Sequence, residues 1–435
     1  MKGDNVYVFG GIRNFQHNDS VQWYDSSLLK LDLSKSWYYM ENDPSIAAIS
    51  SLNASYAPPP FLMYSSLTCD TDGNFHIDGG GLAMFNASRE QPMIAMPIQN
   101  SSWTFWRNNS SWSPGSARVP ESRYAPMHTL YTQAPEQDLV FYLNGILSNG
   151  SSERAYPKMM VLNTRTNAKR IVSTEIIAPS SARVGAVFQY MPLLGRKGGL
   201  ILFGGATRYT DNITIDRWGT MEPLDMIHVF DIASLDDTPN GIWYHQRTTG
   251  RTPLSRISTC AIHIPSPDNT SYHIYMSSGR SPTEGYDDVW VLSLPQFLWT
   301  QVFAGARRNY GSTCHLVGKK QMLILGGNDW TKANRDPTIV AIYDMTNLKW
   351  LTEFLREDYD FRVPKAVWEW IGGSATGGAT MREPEGGFAS SGLARMFEGM
   401  AGKEGMKSDG SSARLEAKAK VVVLVSVIMT TILML

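Results

Sequence analysis

The sequence predicts an all-β chain, a six-bladed propeller followed by a tail, and three observations carry that prediction. Composition is the first: 13 Trp, 19 Tyr and 16 Phe stand beside 37 Gly and 23 Pro in 435 residues. That mixture suits many short strands joined by turns, and does not suit a helical bundle or a disordered chain. The second is an apolar run ending in a glycine signal, which recurs six times along the chain. The third is that the recurrences share companions, an arginine upstream and an acidic residue and a tryptophan downstream. One four-stranded unit repeated in this way predicts a propeller.

The first run is Val6-Tyr7-Val8-Phe9-Gly10-Gly11. The next lie at 75–78 before Gly79-Gly80, 139–143 before Asn144-Gly145 and 200–203 before Gly204-Gly205. The last two lie at 273–277 before Ser278-Gly279 and 322–325 before Gly326-Gly327. Each reads as a strand whose glycines permit a positive φ or a close backbone approach. Arg123, Arg183, Arg256 and Arg308 precede four of these signals by about 20 residues. Downstream come Asp32 with Trp37, Asp231 with Trp243, Leu292 with Trp299, and Asp344 with Trp350.

These marks in register resemble the kelch repeat over about residues 6–355. The second unit lacks the arginine, and the third has no closing tryptophan near Asn167. The run Leu31-Asp32-Leu33-Ser34-Lys35-Ser36-Trp37 is similar to the first blade of fungal surface kelch proteins. Val363-Pro364, Ile371-Gly372-Gly373 and Gly377-Gly378-Ala379-Thr380 resemble the segment after the propeller in that family. The resemblance implies a signal peptide, a propeller ectodomain and a membrane anchor, with no assigned biochemical activity in most relatives. Here the chain opens on a strand with no apolar leader, and its first blade begins at the glycine strand. The first blade is therefore expected to be incomplete at its N-terminus, its innermost strand and a signal peptide belonging upstream.

The expected organisation is a propeller over 1–360, a disordered Gly/Ser-rich stalk over 361–420 and a hydrophobic segment over 421–435. The last is uncharged and comes after the small residues Gly410, Ser411, Ser412 and Ala413. It reads as a lipid-anchor attachment signal, because a spanning helix needs roughly 20 apolar residues; a transmembrane helix is the alternative.

Charge excludes one partner class. With 39 basic and 40 acidic residues the net charge is −1, so nucleic acid has no electrostatic footprint to meet. Nine N-x-S/T sequons occur, at Asn18, Asn53, Asn86, Asn100, Asn108, Asn109, Asn149, Asn212 and Asn269. Chance at this composition gives about three, so the density argues for a glycosylated chain on the secretory route.

Motifs for chemistry are few. No phosphate loop, nucleophile elbow or H-E-x-x-H zinc motif occurs. Galactose oxidase shares a kelch-type propeller, and a copper site of that kind would draw on His263 and His315, with Cys260 and Cys314 nearby. The Tyr–Cys context it needs is not recognisable, so neither metal nor cofactor is expected. Cys260 and Cys314 fall at matching places in neighbouring units, either as a disulfide or as two buried thiols. Arg123, Arg183, Arg256 and Arg308 either ring the channel mouth and bind a ligand carboxylate or fix their own blades. Trp103, Trp106 and Trp112 interleave with sequons and form either a binding surface or packed strand residues. The expected function is a non-enzymatic ectodomain at the fungal cell surface, binding proteins or wall glycans. A secreted copper oxidoreductase and an intracellular kelch scaffold are the alternatives.

Overall fold

The computed structural model describes residues 5–9, 12–14, 22–24, 28–39, 49–51, 62–63, 65–86, 91–97, 102–106, 110–114, 128–148, 153–178, 181–208, 219–305, 308–329 and 340–401. They form an almost wholly β structure with two α-helices, α1 (Lys365–Ile371) and α2 (Ser391–Ala401). All six predicted glycine runs are strands: Asn5–Phe9, Phe75–Asp78, Leu139–Leu143, Gly199–Phe203, Tyr272–Ser277 and Gln321–Leu325.

Each of these strands belongs to an antiparallel meander in chain order. The third sheet, for example, runs Leu130–Ala134, Leu139–Leu143, Lys158–Asn163, Lys169–Ser173. The second, fourth and sixth sheets repeat that four-strand order, and the fifth adds Thr249–Gly250 in parallel at its outer edge. The first sheet has three described strands, with Asn5–Phe9 at one edge.

Apolar side chains from facing sheets interlock. Phe203 of the fourth sheet meets Trp299 of the fifth edge-on at 5.6 Å, and the Trp299 indole donates to the Leu224 carbonyl at 2.9 Å. The tryptophan that closes one repeat thus anchors its neighbour. Val6 and Leu31 of the first sheet pack with Val317, Leu323, Val340 and Ile342 of the sixth, so the last repeat lies against the first. Backbone pairing of Trp37-Tyr38 with Glu353-Phe354 adds to that contact.

The glycine pairs show why the repeat tolerates change at one position and not the other. The first place takes φ near +60° and accepts Asn144 (φ +55°) and Ser278 (φ +63°) as well as Gly204 (φ +64°). The second is glycine each time for a steric reason: a Cβ on Gly205 would stand 2.6 Å from the Val184 carbonyl oxygen, and one on Gly279 2.9 Å from Thr259 Cβ.

The tail departs from the expected disordered stalk. From 361 to 401 it is a packed strap, while 402–420 and the apolar segment 421–435 lie outside the described residues. Phe361, Val363, Val367 and Ile371 enter the core between the fifth and sixth sheets. Leu393, Met396, Phe397 and Met400 enter the core between the fourth and fifth. Their spacing in α2 is one helical stripe, a periodic signal that the Gly/Ser composition hides. Polar contacts fix the strap to hairpin turns on one side of the sheets. Thr346 Oγ1 donates to the Arg362 carbonyl at 3.1 Å and accepts from the Arg362 N–H at 2.9 Å, and just ahead of the strap Lys320 Nζ lies 3.3 Å from Asp358 and Lys319 Nζ 2.9 Å from Asp360. Gln296 donates to the Met381 carbonyl at 2.6 Å, and Gly195 N–H to the Met396 carbonyl at 2.8 Å.

Candidate functional site

The side opposite these turns carries the glycine pairs, the connections between second and third strands, and the connections between sheets. We call it the loop side. Arg183 and Arg256 rise toward it from the start of the fourth and fifth sheets, yet both are 1% exposed. Arg183 Nε donates to the Gly204 carbonyl at 2.8 Å, and Arg256 Nη1 donates to the Ser278 carbonyl at 3.0 Å. Each arginine thus satisfies the carbonyl of the first residue of its glycine pair. Arg256 also forms a two-point pair with Asp288 and lies 3.9 Å over the Tyr286 ring. Neither guanidinium is available to a ligand; their work is to hold the repeat.

In the sixth sheet the same carbonyl, that of Gly326, accepts from Asn309 Nδ2 at 3.2 Å. Arg308 is displaced from the role by one residue. Its side chain is half exposed, with Nε 3.7 Å from Asp287. Sequence spacing had pointed to Arg308, and the neighbouring Asn309 was missed because a shorter amide can reach the same acceptor. Arg123 lies outside the described residues.

Between the third and fourth sheets the loop side is concave. A cleft of about 440 Å³ is lined by Ile177, Thr207, Glu222, Pro223, Asp225, Met226, His228 and Arg247. Met226 pairs with Arg247 and His228 with His245 on adjacent strands, which places Arg247 at the strand end. Arg247 Nη1 meets Asp225 Oδ2 at 2.6 Å at the exposed rim. Buried Arg183 stands behind the wall, its Nη1 3.7 Å from Glu222 Oε2. Burial, with Arg183 and His245 nearby, pushes the His228 imidazole down to about 3, so it is neutral at physiological pH. None of these lining residues was singled out from the sequence, because they converge from a connection, two strands and a neighbouring repeat.

Cys260 and Cys314 form a disulfide between the first strands of the fifth and sixth sheets, with Cα atoms 5.3 Å apart. The cross-link spans 54 residues. Loop-closure entropy for such a span is worth about 4 kcal/mol. The double variant Cys260→Ala/Cys314→Ala is expected to melt several degrees lower under non-oxidising and oxidising conditions alike. An unchanged midpoint in a thermal scan would show that the bond contributes nothing.

The disulfide also bears on copper. A radical-copper centre needs a cysteine to cross-link with tyrosine, and both nearby thiols are already paired. His263 Nδ1 lies 3.2 Å from Gln189 Oε1, and His315 Nε2 lies 2.7 Å from Thr313 Oγ1. Among the described residues no group of three or more His, Cys, Asp or Glu side chains converges as a metal site. The residues present do not fit that centre.

Of the sequons, Asn269 is exposed at the turn between the first two strands of the fifth sheet, with φ +59°. Asn86 ends the strand Gly81–Asn86, and Asn18, Asn53, Asn100, Asn108, Asn109, Asn149 and Asn212 lie outside the described residues. Trp112 is buried against Phe105 at 5.1 Å, whereas Trp106 is 43% exposed.

No protein-family model matches the chain. It is similar to a kelch repeat-containing protein of Arthroderma benhamiae, 23% identical over 448 aligned residues. The match covers 87% of this chain and 63% of the relative, so the chain spans less than two thirds of that protein's length. The relation, together with the repeated sheets, accords with the kelch-type repeat marks.

Proposed function

We propose that this chain, related to kelch-repeat proteins, is a six-bladed propeller serving as a non-enzymatic binding module displayed at the cell surface. It engages a protein partner through the loop side. The observation that carries this reading is what the loop side presents. Its connections hold out Ile176 and Leu254, each 63% exposed, whereas the strap, which exposes Trp370 in its first helix, is bonded across the turns of three successive sheets on the other side. Aliphatic side chains held out on rigid strand connections are the kind of anchor that protein interfaces bury.

Ring closure is supported by the packing of the first sheet on the sixth. The secretory route is supported by the buried disulfide and by Asn269 at an exposed turn within a sequon. Membrane attachment rests on the uncharged segment 421–435.

Two measurements test the reading. Endoglycosidase treatment of the native protein in its host's membrane fraction is expected to lower its mass by several kilodaltons. No shift, with the protein in the soluble fraction, would replace the ectodomain reading with the intracellular scaffold. A photo-crosslinker placed at Leu254 on intact cells is expected to yield discrete protein adducts, and the same probe at Glu398 on the strap is not. Equal labelling from both positions would overturn the assignment of the loop side.

A further inference from the structure

We propose that the cleft between the third and fourth sheets is a saccharide subsite, taking a neutral, hydroxyl-rich ligand. This goes beyond the protein-binding reading and stands on separate residues. The argument begins with charge. Glu222 and Asp225 are opposed by Arg247 at the rim and by the buried Arg183 guanidinium behind the wall. Two carboxylates against two guanidinium groups leave no net field to select an ion. An entering ammonium group meets Arg183 behind Glu222, and an entering anion meets both carboxylates. A neutral ligand meets neither penalty.

Hydrogen-bonding capacity is the second element. The Glu222 carboxylate accepts no hydrogen bond from the described residues; its one ionic neighbour, Arg183, stands at 3.7 Å. The His228 ring likewise has no hydrogen-bond partner among the described residues and borders the cleft. Held neutral, it offers one N–H donor and one acceptor nitrogen. Asp225 uses Oδ2 for Arg247, and the Thr207 hydroxyl makes only a 3.4 Å contact to the Thr220 carbonyl. Donors and acceptors therefore line one small space together. A vicinal diol donates to a carboxylate and accepts from a guanidinium or imidazole at once, and so satisfies such a set.

Shape is the third. About 440 Å³ lies within the range of roughly 300–1,000 Å³ usual for small-molecule pockets. Ile177, Pro223 and Met226 supply apolar surface for the C–H face of a sugar ring.

The test uses the full-length, disulfide-intact protein with chitotriose, laminaritriose and mannotriose as probes, and N-acetyl-lysine amide and citrate as ionic controls. Saturable binding of at least one trisaccharide by calorimetry is expected, with both ionic controls weaker. Asp225→Asn is expected to weaken that binding at least tenfold while leaving the melting temperature unchanged, since its partner Arg247 is 72% exposed. Glu222→Gln is expected to do the same. If removing the negative charge beside Arg183 unfolds that variant, Asp225→Asn and Arg247→Ala decide the question. Binding that survives Asp225→Asn and Arg247→Ala, a tighter ionic control, or no saturable binding of any trisaccharide would overturn the subsite. Crosslinking from Leu254 is read separately, so the subsite and the protein-binding reading fail or stand independently.

Discussion

A chain ended after residue 360 is expected not to reach the native state, although the removed part is rich in Gly, Ser and Glu. The strap from 361 to 401 buries nine apolar side chains, from Phe361 to Met400, each 6% exposed or less. Burial of a single large apolar side chain contributes about 1.5–3 kcal/mol. Even a few of these amount to a large part of the roughly 5–15 kcal/mol that holds a typical native fold. Their loss also uncovers Tyr275 and Phe297 of the fifth sheet, which contact Phe361 at 6.4 Å and Phe397 at 5.5 Å. Expression of the 1–360 chain should give aggregated or dye-binding protein, whereas 1–401 should be soluble and cooperative in urea. A finer version is Phe397→Ala, expected to cost about 3–5 kcal/mol by leaving a cavity beside Phe297 and Phe388. If 1–360 melts like the full chain, the strap is a dispensable stalk after all.

Acidification is expected to unfold the protein well above the carboxylate range. His273 is fully buried and His315 is 6% exposed; burial pushes both imidazoles down to about 3. Ser271 and Ser293 hold the His273 ring, and Thr313 the His315 ring, as neutral groups. Linkage gives the direction of the pH effect. Above about 6.5 both the folded and the unfolded histidines are neutral, so they add no pH dependence. As pH falls from about 6.5 toward 3, the unfolded chain takes up protons that the native state refuses. Each histidine then costs about 1.4 kcal/mol of stability per pH unit, and the two together about 3, to which His228, likewise pushed down to about 3, adds an equal share. Urea midpoints should be level from pH 8 to 7 and fall steeply from 6 to 5. His273→Asn and His315→Gln should each flatten that slope by about a third. Midpoints constant between pH 7 and 5 would falsify the assignment of both rings as neutral.

Much of the fold was legible because its demands are local. A strand that ends where the backbone must turn with positive φ, under a neighbour too close for a Cβ, leaves a glycine in the sequence. Gly205, Gly279 and Gly327 are such places. Asn144 and Ser278 blurred the repeat only at the more permissive first place of the pair. The α2 stripe of Leu393, Met396, Phe397 and Met400 was present as well, but short, and diluted by the surrounding small and charged residues.

The candidate site was far less legible. An arginine before a strand carries no mark saying whether its guanidinium ends in water or under a carbonyl. For Arg183 and Arg256 the answer came from Gly204 and Ser278, about 20 residues away, and from Glu222 and Asp288 farther along. For Arg308 it came from Asn309 reaching the Gly326 carbonyl first.

By itself, then, the sequence determined the strands, the six-fold recurrence and the glycine positions, because steric limits on φ and Cβ act within a few residues. Only the tertiary structure decided which arginines are buried, that the tail straps three sheets, and that Glu222, Asp225, His228 and Arg247 share one cleft. Those outcomes depend on burial and charge balance among groups brought together from different repeats. Such sums over distant neighbours leave no spacing in the chain to read.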